Sequence, residues 1–224
     1  RAPKAGAGGV VTTALDMPNP NPPSVACAAS EDTVARASVK ASVDFGLYAG
    51  LDEKGESLDL FATASAVKVY LGATTGHLLV QDYDLVRRAL VAAAACGRTV
   101  AFHAESQACL DRHGHQLDDT YESHAHARPA ECEAEAIQAL ITASAGTGAR
   151  VHIAHLSTAL GLAALSGTTF SAEVCPHHLF WTSDALRQGG SFKMNPPLRE
   201  QDDINALWAG LNGGRIACLA SDHA

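Results

Sequence analysis

Residues 216–224 read IACLASDHA. Five apolar or small residues, Ile216 to Ala220, fit a buried strand, and Ser221, Asp222 and His223 follow at its tip. A carboxylate at the end of an apolar strand is costly unless it binds a cation or handles a proton. What the stretch means depends on whether other strands also carry polar groups to their ends.

They do. Short β-rich runs recur at VVTTALD (10–16), ASVDFGLY (41–48), AVKVYL (66–71), TVAFHAE (99–105), VHIAHLS (151–157), TFSAEV (169–174) and IACLASD (216–222). Between most of them lie stretches with helical spacing, at 82–95, 129–145, 157–165 and 201–211. Strand alternating with helix predicts a parallel sheet. An open doubly wound sheet and a closed barrel both satisfy the alternation, and the polar residues separate them. Lys68, His103, His155 and Asp222 each sit at or near the C-terminal end of a different run, which is how a barrel gathers one site from many strands. An open sheet usually shows a glycine-rich phosphate loop after its first strand, whereas the first run here leads into DMPNPNPP (16–23). The pattern predicts an α/β fold, a TIM-like (β/α)8 barrel. RAPKAGAGG (1–9) reads as the tail of a helix with its glycine stop. The seven runs are therefore expected to be strands two to eight of one barrel domain over 1–224, with a first strand before Arg1 and further chain after Ala224.

With 224 residues, 47% hydrophobic and 18% charged, the chain can bury a sizeable core. A net charge of -8 without a Lys/Arg cluster lacks the footprint of a nucleic-acid binder. No apolar run approaches the roughly 18 residues of a membrane span, and no signal-peptide layout opens the chain, so a soluble cytoplasmic protein is expected. The six cysteines, Cys27, Cys96, Cys109, Cys132, Cys175 and Cys218, form no CxxC pair. They are expected to be reduced, in neither a disulfide framework nor a cysteine–zinc site.

An isolated strand histidine is usually a packed residue, but His103 and His155 end their runs in the company of Lys68 and Asp222, and neutral imidazole suits a divalent metal. His152 stands three residues before His155, so strict alternation turns it to the opposite face as a packing residue. Lys68 interrupts an apolar strand. A buried ammonium needs a partner, and a desolvated neutral amine can instead add carbon dioxide to give a carbamate that bridges two cations. His113, His115, His124 and His126 are expected on polar loops, and His177 and His178 of CPHHL (175–179) on the rim of the site.

In order along the chain, GGVVTTALDMPNPNPP (8–23), VKVYLGATTG (67–76), AFHAES (101–106), ARPAECEAEAI (127–137), HIAHLST (152–158), AEVCPHHL (172–179), FKMNPPLRE (192–200) and ASDHA (220–224) resemble the successive signatures of the cyclic amidohydrolases, most closely of the dihydroorotases. MPNPNPP, MNPPLR and SDHA are nearer to dihydroorotases than to allantoinases or hydantoinases. The resemblance implies a metal-dependent barrel that reversibly closes N-carbamoyl-L-aspartate into L-dihydroorotate in pyrimidine synthesis. It implies two divalent ions, zinc in the first place, with Lys68 as a carboxylated bridge, His103 and His155 as ligands of one ion, and Asp222 as ligand and proton shuttle. Asn19, Asn195 and His223 are implied to hold the substrate. The family's HxH pair and a substrate-binding arginine belong before Arg1, so this chain alone is expected to be weakly active or inactive. A small-molecule substrate is implied, with a homo-oligomer or association with other pyrimidine-pathway enzymes as possible assemblies. The rival expectations are an allantoinase or hydantoinase, and a noncatalytic scaffold of the same fold.

Overall fold

The computed structural model describes residues 11–19, 27–74, 76 and 78–223. Strands β1 (Thr13–Asp16), β2 (Asp44–Gly50), β3 (Ala66–Tyr70), β4 (Thr99–His103), β5 (Arg150–Ile153), β6 (Ser171–Val174) and β7 (Cys218–Leu219) coincide with the seven β-rich runs. The helices are α1 (Cys27–Lys40), α2 (Tyr83–Ala95), α3 (Gln107–His113), α4 (Glu122–His126), α5 (Ala130–Ser144), α6 (Ala159–Ala164), α7 (Pro176–Phe180) and α8 (Gln201–Asn212). The expected helix tail at 1–9, the proline-rich residues 20–23 and Ala224 lie outside the described residues.

The strands form one sheet in chain order, β1 to β7, with every neighbouring pair parallel. Tyr48 on β2 lies within electrostatic reach of Glu173 on β6, so the sheet curls until distant strands face one another. The result is a partial TIM-like α/β barrel with its lumen on the inner face. Alternation sorts the side chains. Val67, Val69, Val100, Phe102, Val151, Ile153, Ala172 and Val174 are buried in the core that the helices cover, with Leu85, Val86 and Ala89 of α2 and Ile137 and Leu140 of α5. Lys68, Ala101 and His152 are register partners across β3, β4 and β5, so they share the inner face.

Three of the helices that follow a strand begin at a polar side chain that caps them, whereas α7 starts after Cys175 without a side-chain cap. Asp82 accepts from the Asp84 amide at 2.8 Å before α2, Ser106 from the Cys109 amide at 3.2 Å before α3, and Thr158 from the Gly161 amide at 2.8 Å before α6. These caps satisfy amides left open by the first helical turn. They also fix the direction in which the chain leaves β4 and β5, immediately beyond His103 and His155.

The cysteine expectation is corrected. Cys109 of α3 and Cys132 of α5 form a disulfide. Their Cα atoms stand 5.2 Å apart because the two helices pack side by side, a separation suited to a bridge. Cys96, Cys175 and Cys218 are free. The loop expectation for the histidines is also corrected in part, because His113 ends α3 and both His124 and His126 lie in α4. Among the described residues no helix is long and apolar enough to cross a membrane.

Candidate metal centre

The ends of β4 and β5 bring two imidazoles together. His103 Nδ1 lies 3.2 Å from His155 Nε2, and both residues are buried. His103 closes β4 as its last inward residue. His155 lies two residues past the end of β5 and has φ 40, a left-handed conformation rarely held by a non-glycine residue. That turn resets the alternation, so His155 swings into the lumen although His152 also faces inward. The expectation that His152 points to the opposite face fails for this reason: alternation holds only as far as Ile153. His152 instead joins a lumen cluster, with Nδ1 2.8 Å from Ser171 Oγ and Nε2 3.1 Å from Glu173 Oε2.

Burial depresses the pKa of both site imidazoles, His155 well below the ordinary value. Both are therefore neutral at pH 7 and can present lone pairs. His103 Nε2 donates to the Glu105 carboxylate at 2.8 Å, which leaves the Nδ1 lone pair facing His155 Nε2 at 3.2 Å, where it can also serve as a donor atom toward a cation. Burial alone would raise the pKa of Glu105, but His103 and Arg128 hold it down to about 2. Arg128 donates to both Glu105 oxygens and to the Ala73 carbonyl at 2.8 Å. A carboxylate behind a ligating histidine fixes its tautomer and raises its basicity.

A second buried carboxylate holds the loop that carries His155. Glu133 of α5 accepts from the Ser157 amide at 2.9 Å, from Ser157 Oγ at 3.0 Å and from Thr158 Oγ1. Burial raises its pKa to about 6, against the lowering effect of Arg199. Neither Glu105 nor Glu133 was singled out in the sequence. The available signal was a glutamate two residues beyond His103, in HAES, and one in the first turn of an Ala-rich helix.

Lys68 is 2% exposed on the inner face of β3. Burial pushes its pKa down to about 8, against the opposing pull of Asp222 and Glu173. Its Nζ lies 5.2 Å from the centroid of the Tyr70 ring. Burial and the Asp222 charge together push the Tyr70 phenol up. Asp222, exposed just beyond β7 with φ 44, thus projects its charge onto the same lumen as Lys68. His223 beside it is exposed.

The two asparagines approach the loop after β3. Asn195 Nδ2 donates to Thr74 Oγ1 at 3.2 Å, while its buried Oδ1 has no partner. Asn19 is exposed, its Cβ 3.6 Å from where a Cβ on Gly76 would lie. The rim expectation for the CPHHL histidines takes a definite form. His178 is buried and donates from Nε2 to the Pro196 carbonyl at 3.1 Å, and burial lowers its pKa to about 3. His124 makes the equivalent bond to Met194 at 3.0 Å. Both histidines therefore hold the segment that carries Asn195.

The residues present fit a divalent metal. Two nitrogen donors about 2.0–2.1 Å from a tetrahedral zinc stand about 3.3 Å apart, close to the 3.2 Å between His103 Nδ1 and His155 Nε2. Neutral imidazole nitrogens are donors that zinc accepts.

No family model matches the sequence. The chain is 35% identical to a dihydroorotase of Halobacterium salinarum over 99% of its own length and 53% of that protein's. It is 32% identical to an allantoinase of Rubrobacter xylanophilus over 98% of its length and 52% of that protein's. Among solved structures, an L-hydantoinase (dihydropyrimidinase) from Arthrobacter aurescens superposes with a TM-score of 0.88 at 26% identity, covering 99% of this chain and 52% of that one. The chain spans about half the length of the curated relatives it matches. A curled sheet of parallel strands, paired lumen histidines and these likenesses place the chain in the amidohydrolase superfamily.

Proposed function

We propose that the chain carries part of the site of a metal-dependent cyclic amidohydrolase whose reaction is the reversible closure of N-carbamoyl-L-aspartate to L-dihydroorotate. The observation that carries the metal-dependent reading is the convergence of His103 Nδ1 and His155 Nε2, 3.2 Å apart and both buried. The choice of ring rests on the likeness to the Halobacterium dihydroorotase and on MNPPLR (194–199) and SDHA (221–224).

Two divalent ions, zinc for this donor set, would polarise the ring carbonyl and make water nucleophilic at neutral pH. His103 and His155 would hold one of them, with Glu105 fixing the tautomer of His103. Lys68, with its pKa at about 8, has a larger neutral fraction near pH 7 than an ordinary lysine. Its amine can form a bond to the carbon of carbon dioxide and release a proton, leaving a carbamate that would offer oxygen donors to the ions. Asp222 faces the lumen electrostatically and would take the proton from the attacking water. It would return that proton to the ring nitrogen as the amide bond breaks, and the reverse transfer would accompany ring closure. Asn19, Asn195 and His223 would bind the substrate's carboxylate and amide edges.

The test is ring closure and opening measured on the intact polypeptide as the organism makes it, supplied with zinc and bicarbonate, with allantoin and dihydrouracil assayed alongside. Selective turnover of carbamoyl-aspartate, lowered about 10²–10⁴-fold by Asp222→Ala, is the expected result. Selective turnover of allantoin or dihydrouracil would move the assignment to that ring. A folded, zinc-loaded protein that turns over none of them would overturn the catalytic reading in favour of a scaffold.

A further inference from the structure

The anchors of the two imidazoles are tied to each other. Glu105 holds His103, and the next residue, Ser106, opens α3 by capping the Cys109 amide at 3.2 Å. Glu133 holds the Ser157 amide, two residues beyond His155, and Cys132 directly precedes it in α5. Between these anchors runs the Cys109–Cys132 disulfide, with both residues fully buried. Beside it the Ser106 amide donates to the Cys132 carbonyl at 2.9 Å.

We infer that Cys109–Cys132 is a redox-responsive strut, a thiol–disulfide site whose reduction loosens the two carboxylate anchors and, through them, both imidazoles. The consequence for chemistry rests on the metal-site reading above; the strut itself does not. In the reaction, two equivalents of a thiol reductant, or one of a dithiol, break the S–S bond. Each cysteine sulfur takes one proton, and the reductant is oxidised to its own disulfide. The reverse step needs a disulfide or diazene oxidant to accept the two electrons.

The effect is local because other bonds cross the same helix pair. Ser106 Oγ donates to Glu135 Oε1 at 2.6 Å, and Arg112 donates to Glu135 Oε2 at 2.5 Å. These keep α3 against α5 when the sulfurs part. What is lost is the covalent limit on how far Ser106 and Glu133 can move relative to each other, so the nearby amides should exchange faster without global unfolding.

The test uses the purified protein. Alkylation followed by peptide mapping, before and after a phosphine reductant and after diamide, should find Cys109 and Cys132 linked in the oxidised state and free in the reduced one. Hydrogen exchange should then rise at least tenfold on reduction in residues 105–110 and 155–161, with β3 and α8 unchanged. The Cys109→Ser/Cys132→Ser double variant should show the fast exchange with or without reductant. If that variant does not fold, the comparison of oxidised and reduced wild-type protein decides. Cysteines that stay free after diamide, or a bridge whose reduction leaves both segments' exchange unchanged, would overturn the inference. None of these readouts needs metal or turnover, so the strut and the amidohydrolase reading fail independently.

Discussion

Lys68 is nearly sealed from solvent, and burial lowers its pKa to about 8. A lysine whose folded pKa lies below its ordinary value contributes most to stability at high pH, and that contribution is lost as pH falls toward 8. At pH 7 the cost is therefore fully present, about 3 kcal/mol for a shift of this size. Lys68→Met, similar in length and uncharged, is expected to stabilise the metal-free protein by up to about 3 kcal/mol in urea unfolding at pH 7 and, under the proposed function, to abolish turnover of the intact polypeptide. A fall in stability would show that the ammonium's partners outweigh its desolvation. Glu105→Gln keeps the shape but removes the charge behind His103. Zinc affinity should drop about 10–100-fold, measured by competition with a chromophoric chelator, and an unchanged affinity would exclude Glu105 as a positioning group. Lys68 was legible in the sequence because a cation interrupted an apolar run. The Glu105–Arg128 pair was not, because its partners lie 23 residues apart in segments with no shared periodicity.

At the level of elements, the histidines of α4 and α7 work as struts, holding 194–196 through two carbonyls. His178 is kept neutral by burial, with a folded pKa of about 3. A histidine with a lowered folded value contributes stability that is complete above its ordinary pKa of about 6.5 and is lost as pH falls toward 3, by about 1.4 kcal/mol per pH unit in that window. Glu133, raised to about 6, acts in the opposite sense, since its contribution is complete below the ordinary carboxylate range and is lost as pH rises through 6. Comparison with His178→Gln isolates the histidine. The variant retains a donor for Pro196 and should show a flatter loss of stability between pH 6.5 and 3; parallel curves would exclude His178 as the source. The alternation of strands and helices was legible because period-2 and period-3.6 patterns alternate along the chain. Two local facts were not: the left-handed turn at His155 that rotates its ring inward, and the disulfide, whose 23-residue separation crosses a helix pair and follows no cysteine motif.

For the whole molecule, β1 and β7 each have a strand neighbour on one side only among the described residues. Leu15 on β1 and Leu219 on β7 are exposed. Unpaired strand edges with apolar side chains template association, so the apparent molar mass of this chain from light scattering should rise with concentration. Leu15→Lys with Leu219→Lys should suppress that rise, and unchanged scattering would place the association elsewhere. The barrel architecture was readable because polar residues ended several apolar runs; the depth of each side chain in the lumen depends on register, which no single run contains. Because the sheet is laid down in chain order, assembly during synthesis has a direction. Synthesis proceeds from the N-terminus at about 5–20 residues per second, and His103 and His155 can meet as soon as β5 docks on β4. Asp222 is made more than sixty residues after His155. A nascent chain can thus acquire the nitrogen pair that would hold a cation before it has the carboxylate that would move a proton, so under the proposed function binding would precede reaction.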